Sequence, residues 1–419
     1  MPPSVDDWLP PDHLARFIVE VVAKLDLRSL ITRYEGRGIA AYHPEMMVAL
    51  LFYGYATGVM SSRRLEAATY DSVPFRFIAA NSHPDHDTIA SFRQRFFAEI
   101  RAVFTQILLV AQENKLLKVG TVNLDGTKIK ANASKHKAMS LGRAKRLREQ
   151  IQAEVDELLE RAKQADNEDS DDGLRIPEEL VRREDRLRKI DEATKKIEER
   201  ERERIATEQR EVTEGLREPS EVDEEIRDSA QLNFTDAQSR IMPTGKDRFE
   251  QAYNAQAACD PSGYVIVASV SQRSNDKRLL ARTLGATKQL PPELGPVSEI
   301  VADAGYCSER NAQWCEMLDV IPYLSTHRER RYGLDRLAPA KTLGPDATAV
   351  DRMRERLRTP EGRAKYAKRK TTIEPVFGTI KSVMGYRQTL MRGLQKVDAE
   401  WRLVCAAFNL RKMHRALCS

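Results

Sequence analysis

Between Phe104 and Phe234 the chain contains no phenylalanine, tryptophan or tyrosine. Within it, residues 137–230 lack the bulky side chains that dominate buried cores and cannot contribute much core. Its inner part is densely charged: from Leu141 to Ala230 there are 20 Lys/Arg against 29 Asp/Glu, a local balance of −9. Leu147, Ile151, Val155 and Leu158 recur there at helical spacing, as do Leu180, Leu187, Ile190 and Ile197. An acidic turn-forming segment, 165–173, separates the two runs. The pattern predicts a charged helical hairpin over 137–230 that packs on itself as a short coiled coil, inserted into the surrounding fold.

The flanks read differently. Residues 1–115 predict a helical domain. After the start signal Pro10-Pro11-Asp12, apolar residues at Leu14, Phe17, Ile18, Val21, Val22 and Leu25 follow a helical period. Pro44 opens a second helix with a stripe at Met47, Leu50, Leu51 and Tyr55, Ser61 starts a third, and Asp87 begins a fourth with arginines on one face. His83 and His86 are read as loop residues, because no third metal ligand stands near them in the sequence. From Lys118 the composition turns to β-branched residues, giving a buried strand that ends in a turn at Asp125-Gly126. Beyond the insertion come a strand over 249–258, a tight turn at 260–263 and a returning strand over 264–270. A helix over 277–290, a strand ending at Asp303, another helix and a strand over 320–325 follow. Helices are expected from about Gly362 onward, and within them Glu374 lies among basic and apolar residues, just before Pro375, which also reads as a helix start.

With the insertion removed, the order is strand with Asp125, hairpin, helix, strand with Asp303, helix, strand, and basic helix with Glu374. This is the ribonuclease-H-like pattern, an α/β fold with a mixed sheet. There, two strand-end acids meet a third acid carried on a later helix. Two metal ions about 3.5–4 Å apart need such carboxylates to hold them beside the attacking and leaving oxygens of a phosphodiester. A hard cation such as magnesium favours these oxygen ligands.

The motifs around the acids carry a specific likeness. The run from Leu124 to Ser134 resembles the first-aspartate motif of bacterial insertion-sequence transposases of the DDE type, and Val301 to Tyr306 resembles their second motif. Lys370 to Lys381 is similar to the third, with a lysine seven residues, or two helical turns, after the glutamate. The run from His43 to Phe97 resembles their N-terminal helical domain, and Asn233–Asp236, Arg240 and Gln251–Gln256 match as well. The likeness spans nearly the whole chain apart from most of the charged insertion.

The resemblance implies Asp125, Asp303 and Glu374 as catalytic and metal-holding residues, with Mg²⁺ as cofactor and Mn²⁺ able to substitute. It implies a DNA transposase that cuts the ends of its element and joins them to target DNA by two-metal-ion catalysis. Its partners would be double-stranded DNA, the inverted repeats and the target, and a second copy of the chain on that DNA. One departure concerns the third motif. Related enzymes often carry a tyrosine seven and an arginine four residues before the glutamate, whereas those places hold Ala367 and Lys370, with Tyr366 and Arg369 one residue off. Lys370 would meet phosphate as a point charge rather than as a bidentate fork.

Charge and composition agree with a nucleic-acid partner. From Gly362 to Ser419 there are 13 Lys/Arg against 3 Asp/Glu, a balance of +10 within a chain whose net charge is +5. Lys128, Lys370, Lys381, Arg387 and Arg392 are the expected DNA contacts. Tyr386 and Trp401 are expected to help track the backbone, although Trp401, Leu403, Val404 and Phe408 also read as a packing face. Five scattered cysteines without a CxxC pair argue against both a disulfide framework and a zinc site. With neither a signal peptide nor a long apolar run, the expectation is a cytoplasmic, nucleoid-associated protein without a membrane segment. At 419 residues the chain predicts two or three domains. The expected boundaries are 1–115 for the helical DNA-binding domain, 116–136 with 231–385 for the catalytic core, 137–230 for the insertion and 386–419 for basic C-terminal helices. A nuclease of the same fold that cuts without joining and a catalytically silent DNA-binding descendant are the alternatives.

Overall fold

Seven helices precede the first strand in the computed structural model, which describes residues 4–32, 42–168, 176–215, 217, 219–245, 247–326 and 341–418. They are α1 (Leu14–Val22), α2 (Arg28–Thr32), α3 (Pro44–Thr57), α4 (Ser62–Asp71), α5 (Val73–Ile78), α6 (His86–Phe96) and α7 (Ile100–Glu113). Their starts follow local capping chemistry. The cap of α1 is His13 rather than Asp12, because its Nδ1 accepts from the Ala15 N–H at 3.1 Å. Ser61 caps α4, accepting from the Arg64 N–H at 3.3 Å. Asp85 accepts from Asp87 and Thr88 N–H groups at 3.0 and 2.9 Å, so α6 begins at His86, one residue before the expected start. His86 is therefore a helix residue, with its ring on Glu66 at 2.8 Å, and His83 stacks on Tyr70. In α3, every residue from Met47 to Ala56 is buried, not only the stripe expected from the sequence. A helix that is apolar all round belongs inside a core.

Eight strands follow among the described residues: β1 (Thr121–Lys130), β2 (Ala138–Ser140), β3 (Gln231–Asn233), β4 (Arg240–Gly245), β5 (Arg248–Cys259), β6 (Val265–Ser271), β7 (Glu299–Ala302) and β8 (Ile321–Leu324). One six-stranded mixed sheet runs β4-β5-β1-β7-β8, with β6 also paired to β5. β1 is antiparallel to β5 and parallel to β7, and β7 is parallel to β8. The expected turn at Asp125-Gly126 does not occur. β1 runs straight through it to Lys130, because β5 continues to pair with it from Asn123↔Cys259 to Lys130↔Ala252. Only the β7 side stops, at Leu124↔Ala302.

The chain divides into two compact units, 1–132 with 241–419 and 133–240. In the second, α8 (Leu141–Glu168) and α9 (Ile176–Thr213) follow β2, which pairs with β3. Ala144, Ile151, Val155 and Ile190 form an apolar seam, joined by Met139, Leu147, Leu180 and Leu187. Arg148 meets Asp191 at 2.8 Å and Arg183 meets Glu154 at 3.1 Å, so the two helices run antiparallel. Arg217 is buried between Glu208 at 2.6 Å and Glu211 at 3.1 Å.

In the first unit, α10 (Leu280–Thr287) and α11 (Glu309–Met317) flank β7 in sequence. α12 (Ala349–Arg358), α13 (Pro360–Gly378) and α14 (Leu394–Leu417) close the chain. α13 begins at Pro360, where Thr359 accepts from the Gly362 N–H at 3.0 Å, close to the helical onset expected near Gly362, and no new helix starts at Pro375. Pro375 instead lies inside the helix. A proline removes one helical hydrogen bond, which α13 tolerates close to its end before opening into a π turn over Thr379–Val383.

α14 packs against β6, α3 and α7, so the N-terminal helices and the sheet share one core. Trp401, Leu403, Val404 and Phe408 are buried, as a packing face requires. Tyr386 is buried too, so neither Tyr386 nor Trp401 can follow a DNA backbone. Asn409 accepts from the Val265 N–H at 2.9 Å and donates to the Val265 carbonyl at 2.8 Å. Asp398 accepts from the Val270 N–H at 2.7 Å. These side chains occupy backbone groups of β6 that would otherwise form an open sheet edge. Glu400, on the same helix, is wholly buried, accepting from the Leu390 and Met391 N–H groups at 3.1 Å and from the Tyr55 hydroxyl at 3.1 Å. No helix among the described residues is long and apolar enough to cross a membrane.

Candidate active site

Sheet pairing brings the first two acids together. Leu124 is in register with Ala302 on parallel neighbours, so Asp125 and Asp303 follow side by side where β7 ends. Asp303 caps the short turn Ala304–Tyr306, its Oδ1 accepting from the Gly305 N–H at 2.8 Å. Asp125 accepts from the Gly126 N–H at 2.8 Å. Burial pushes its carboxyl up to about 6, and Asp303 adds to the rise, against the opposing pull of Arg369 and the Gly126 N–H.

The third acid approaches through an arginine. α13 crosses the sheet and points Arg369 at Asp125, with Nη1 at 3.0 Å from Oδ2. Its Nη2 lies 3.8 Å from Glu374 Oε1. The Arg369 side chain is 10% exposed, that of Asp125 22% and that of Glu374 54%. A single guanidinium therefore sits between the two carboxylates, while Lys370 points outward and is exposed. The residue that reaches the acids is Arg369, one position before the place expected from the family spacing. Its ring neighbour is Tyr366, 5.9 Å from the guanidinium carbon. Among the described residues no three acidic, histidine or cysteine side chains close around a common point.

Lys381 is half-buried, its Nζ donating to Thr127 Oγ1 beside Asp125. Burial, and then Arg387, lower its ammonium below the ordinary value. Arg387 donates to the Lys381 carbonyl at 2.9 Å and Arg392 to the Asn132 carbonyl at 3.1 Å, and both are exposed. Lys128 is placed differently: it is paired with Asp276 at 3.6 Å, its side chain only 17% exposed, in a polar cluster on the opposite face of β1 from Asp125.

Asp276 in that cluster was not singled out in the sequence, although Asn254 and Gln256 lie in the Gln251–Gln256 run noted there. Asp276 Oδ1 accepts from Asn254 Nδ2 at 2.6 Å and from Gln256 Nε2 at 2.9 Å, and Gln256 Oε1 accepts from the Tyr306 hydroxyl. It ties the turn after Asp303 to β5 and so to β1. The available signal was Asn254 and Gln256 alternating within the buried, otherwise apolar stretch from Ala252 to Cys259. Gly126 makes room for it. A Cβ there would stand 2.2 Å from Gln256 Nε2 and 2.9 Å from Asp276 Oδ1. Gly126→Ala is expected to displace the Gln256 amide and cost about 1–3 kcal/mol, read as a lowered melting temperature.

Residues 341–414 match a family model described as a transposase DDE domain, and residues 3–95 match one described as a transposase domain (DUF772). The two matches support an insertion-sequence transposase of the DDE type. No curated protein and no solved structure matches it. Of the residues above, the DDE-domain match to this transposase contains Arg369, Glu374, Lys381, Arg387 and Arg392, whereas Asp125 and Asp303 lie outside it. The helical-domain match spans α1 to α5 and most of α6 of the transposase. Such transposases act on DNA and generally use divalent metal ions.

Proposed function

We propose that Asp125, Asp303 and Glu374 form the catalytic site of a DNA transposase that cleaves the ends of its insertion element and joins the 3′ ends to target DNA. The observation that carries this reading is the meeting of Asp125 with Asp303 at the end of β7 and with Glu374 through Arg369. The strand order, with antiparallel neighbours on one side of β1 and parallel ones on the other, supports a ribonuclease-H-like core. Carboxylate oxygens are the donors a hard cation takes, and a cationic group already stands between Asp125 and Glu374, so the set suits Mg²⁺, with Mn²⁺ able to substitute. When bound, such ions polarise the phosphodiester and lower the pKa of water.

The chain's own residues do the rest. Asp125 and Asp303, fixed on adjacent strands, hold one edge of the site, and Glu374 on α13 closes the other. Lys381 and the exposed Lys370, Arg387 and Arg392 hold backbone phosphates, which fixes register without reading sequence. Arg369 keeps the partly buried Asp125 compensated until a stronger cation arrives, and then offers its fork to a phosphate. Because Arg369 and a divalent ion compete for the same oxygens, Arg369→Gln is expected to bind Mn²⁺ roughly tenfold more tightly. That is a conservative share of the ~4 kcal/mol between like charges 4 Å apart at an effective dielectric of 20. Electron paramagnetic resonance titration measures this, and weaker binding would oppose the assignment. Two element ends must be held together, so the working form on DNA is a homodimer, in the cytoplasm at the nucleoid.

Joining separates this reading from a nuclease that only cuts. A pre-cleaved duplex ending in the inverted repeat that flanks the gene should become covalently attached to a plasmid in Mg²⁺. Cutting without any attached product would favour the nuclease.

A further inference from the structure

Beside α13 lies a groove of about 660 Å³ that no step above uses. Thr371, Thr372, Pro375 and Val376 form its α13 wall, and at about 100° per residue Glu374 points away from the middle of that face. Its other walls are the Asp260–Tyr264 turn, the segment after α7 and the end of α14. Lys115, Lys118, Arg411, Lys412 and Arg415 line it, and no acidic residue does.

The one acid beneath the groove is already engaged. Asp260 is wholly buried, and its carboxylate accepts from the Lys118 N–H at 2.9 Å and the Tyr264 N–H at 2.7 Å, joining two of the walls. Lys412 sits over the Tyr264 ring at 5.3 Å, and Arg411 donates to the Ala56 carbonyl at 3.2 Å. Lys115, Lys118 and Arg415 are exposed and form no ion pair among the described residues. Elsewhere on this chain exposed arginines commonly face carboxylates, as Arg352 faces Glu316 at 2.6 Å. Like charges gathered without counter-charges cost free energy unless an anion spans them. The five cations come from two separate stretches of the chain, Lys115 and Lys118 after α7 and Arg411, Lys412 and Arg415 on α14. Five cations in one open groove suit a chain of phosphates better than a single small anion.

We propose that this groove holds the phosphate backbone of duplex DNA, a DNA contact on a different face of α13 from Glu374. It rests on the transposase reading, because joining requires DNA beyond the end being cut. The test is the salt dependence of binding of the full chain to a duplex of about 20 base pairs, followed by fluorescence anisotropy. Lys115→Gln/Lys118→Gln/Arg415→Gln removes three exposed charges, with thermal melting and the three single variants as controls for folding. Each phosphate contact contributes about 0.9 to the slope of log K against log salt, so the slope should fall by about 2 to 3. Binding at low salt should weaken at least tenfold. A slope and affinity equal to the unsubstituted chain would overturn the proposal.

Nicking of the same DNA in Mg²⁺ separates the two readings. If the chain nicks DNA and the triple variant keeps its slope, only the groove is refuted. If the slope falls but no nicking occurs, the groove stands and the catalytic reading fails. If the chain binds no duplex at all, both fail. Native mass spectrometry distinguishes the source of the bound DNA. Two short duplexes per chain, reduced to one by the triple substitution, mark a second DNA molecule. One duplex in both, with the reduced slope, marks the flank of the duplex at the acids.

Discussion

Asp125→Asn is expected to lower Mg²⁺-dependent DNA cleavage at least about a hundredfold, the scale on which losing one preorganised electrostatic contact acts. The substitution keeps the size of the side chain and the Gly126 N–H contact at 2.8 Å. It removes the charge that a divalent ion needs. The fold should survive it, because burial already pushes this carboxyl up to about 6 and disfavours its ionised form. Arg369 loses its 3.0 Å partner but keeps Glu374 at 3.8 Å. The expected signature is therefore a large loss of cleavage with a melting temperature close to that of the unsubstituted chain. Cleavage at the normal rate would remove Asp125 from the site.

The largest expected effect on stability is at Glu400, far from the acids in function but central to the core. Glu400→Ala leaves the Leu390 and Met391 N–H groups and the Tyr55 hydroxyl without their acceptor in a site closed to water. Buried donors left unsatisfied cost about 1–3 kcal/mol each, so a total of about 3–5 kcal/mol is expected after relaxation and relief of the buried charge. The melting temperature should fall by about 10 °C. Burial raises the Glu400 carboxyl above the ordinary value of 4.5, against the Met391 N–H and Arg93, which lower it. The fold therefore binds this proton more tightly than the unfolded chain does. The stability it contributes is complete below the unfolded value and is lost as pH rises through the raised one. Thermal melts from pH 4 upward should show this decline in the unsubstituted chain and its absence in Glu400→Ala, with the gap widest at the acidic end.

The acids were legible in the sequence because each stands beside a strong local signal. Asp125 and Asp303 follow β-branched runs, and Glu374 stands out in a basic stretch. Their surroundings were less legible. The run into Asp125-Gly126 reads as strand then turn, since nothing local reveals that β5 goes on pairing with Gly126 through Lys130. The helical onset near Gly362 was legible, but Pro375 reads as a further helix start, whereas α13 begins at Pro360 and runs through it. Arg369 and Lys370 are adjacent, and only the helical phase decides which one faces Asp125. Asp276 lies between β6 and α10, and its partners Asn254 and Gln256 come from another strand, so its place next to Gly126 is a product of tertiary structure. The charged insertion gave its helices away by their apolar spacing. Arg217, buried there with two glutamates, carries no sequence mark that separates it from its many exposed neighbours.

The central claim, that three acids from two strands and one helix serve a single cation site, is tested most directly by Mn²⁺ titration of the full chain. Binding would be followed by electron paramagnetic resonance in the unsubstituted chain and in Asp125→Asn, Asp303→Asn and Glu374→Gln. Saturable binding in the unsubstituted chain, weakened in each of the three variants, is the predicted result. Mn²⁺ binding that is equal in all four proteins, or absent from the unsubstituted one, would contradict it.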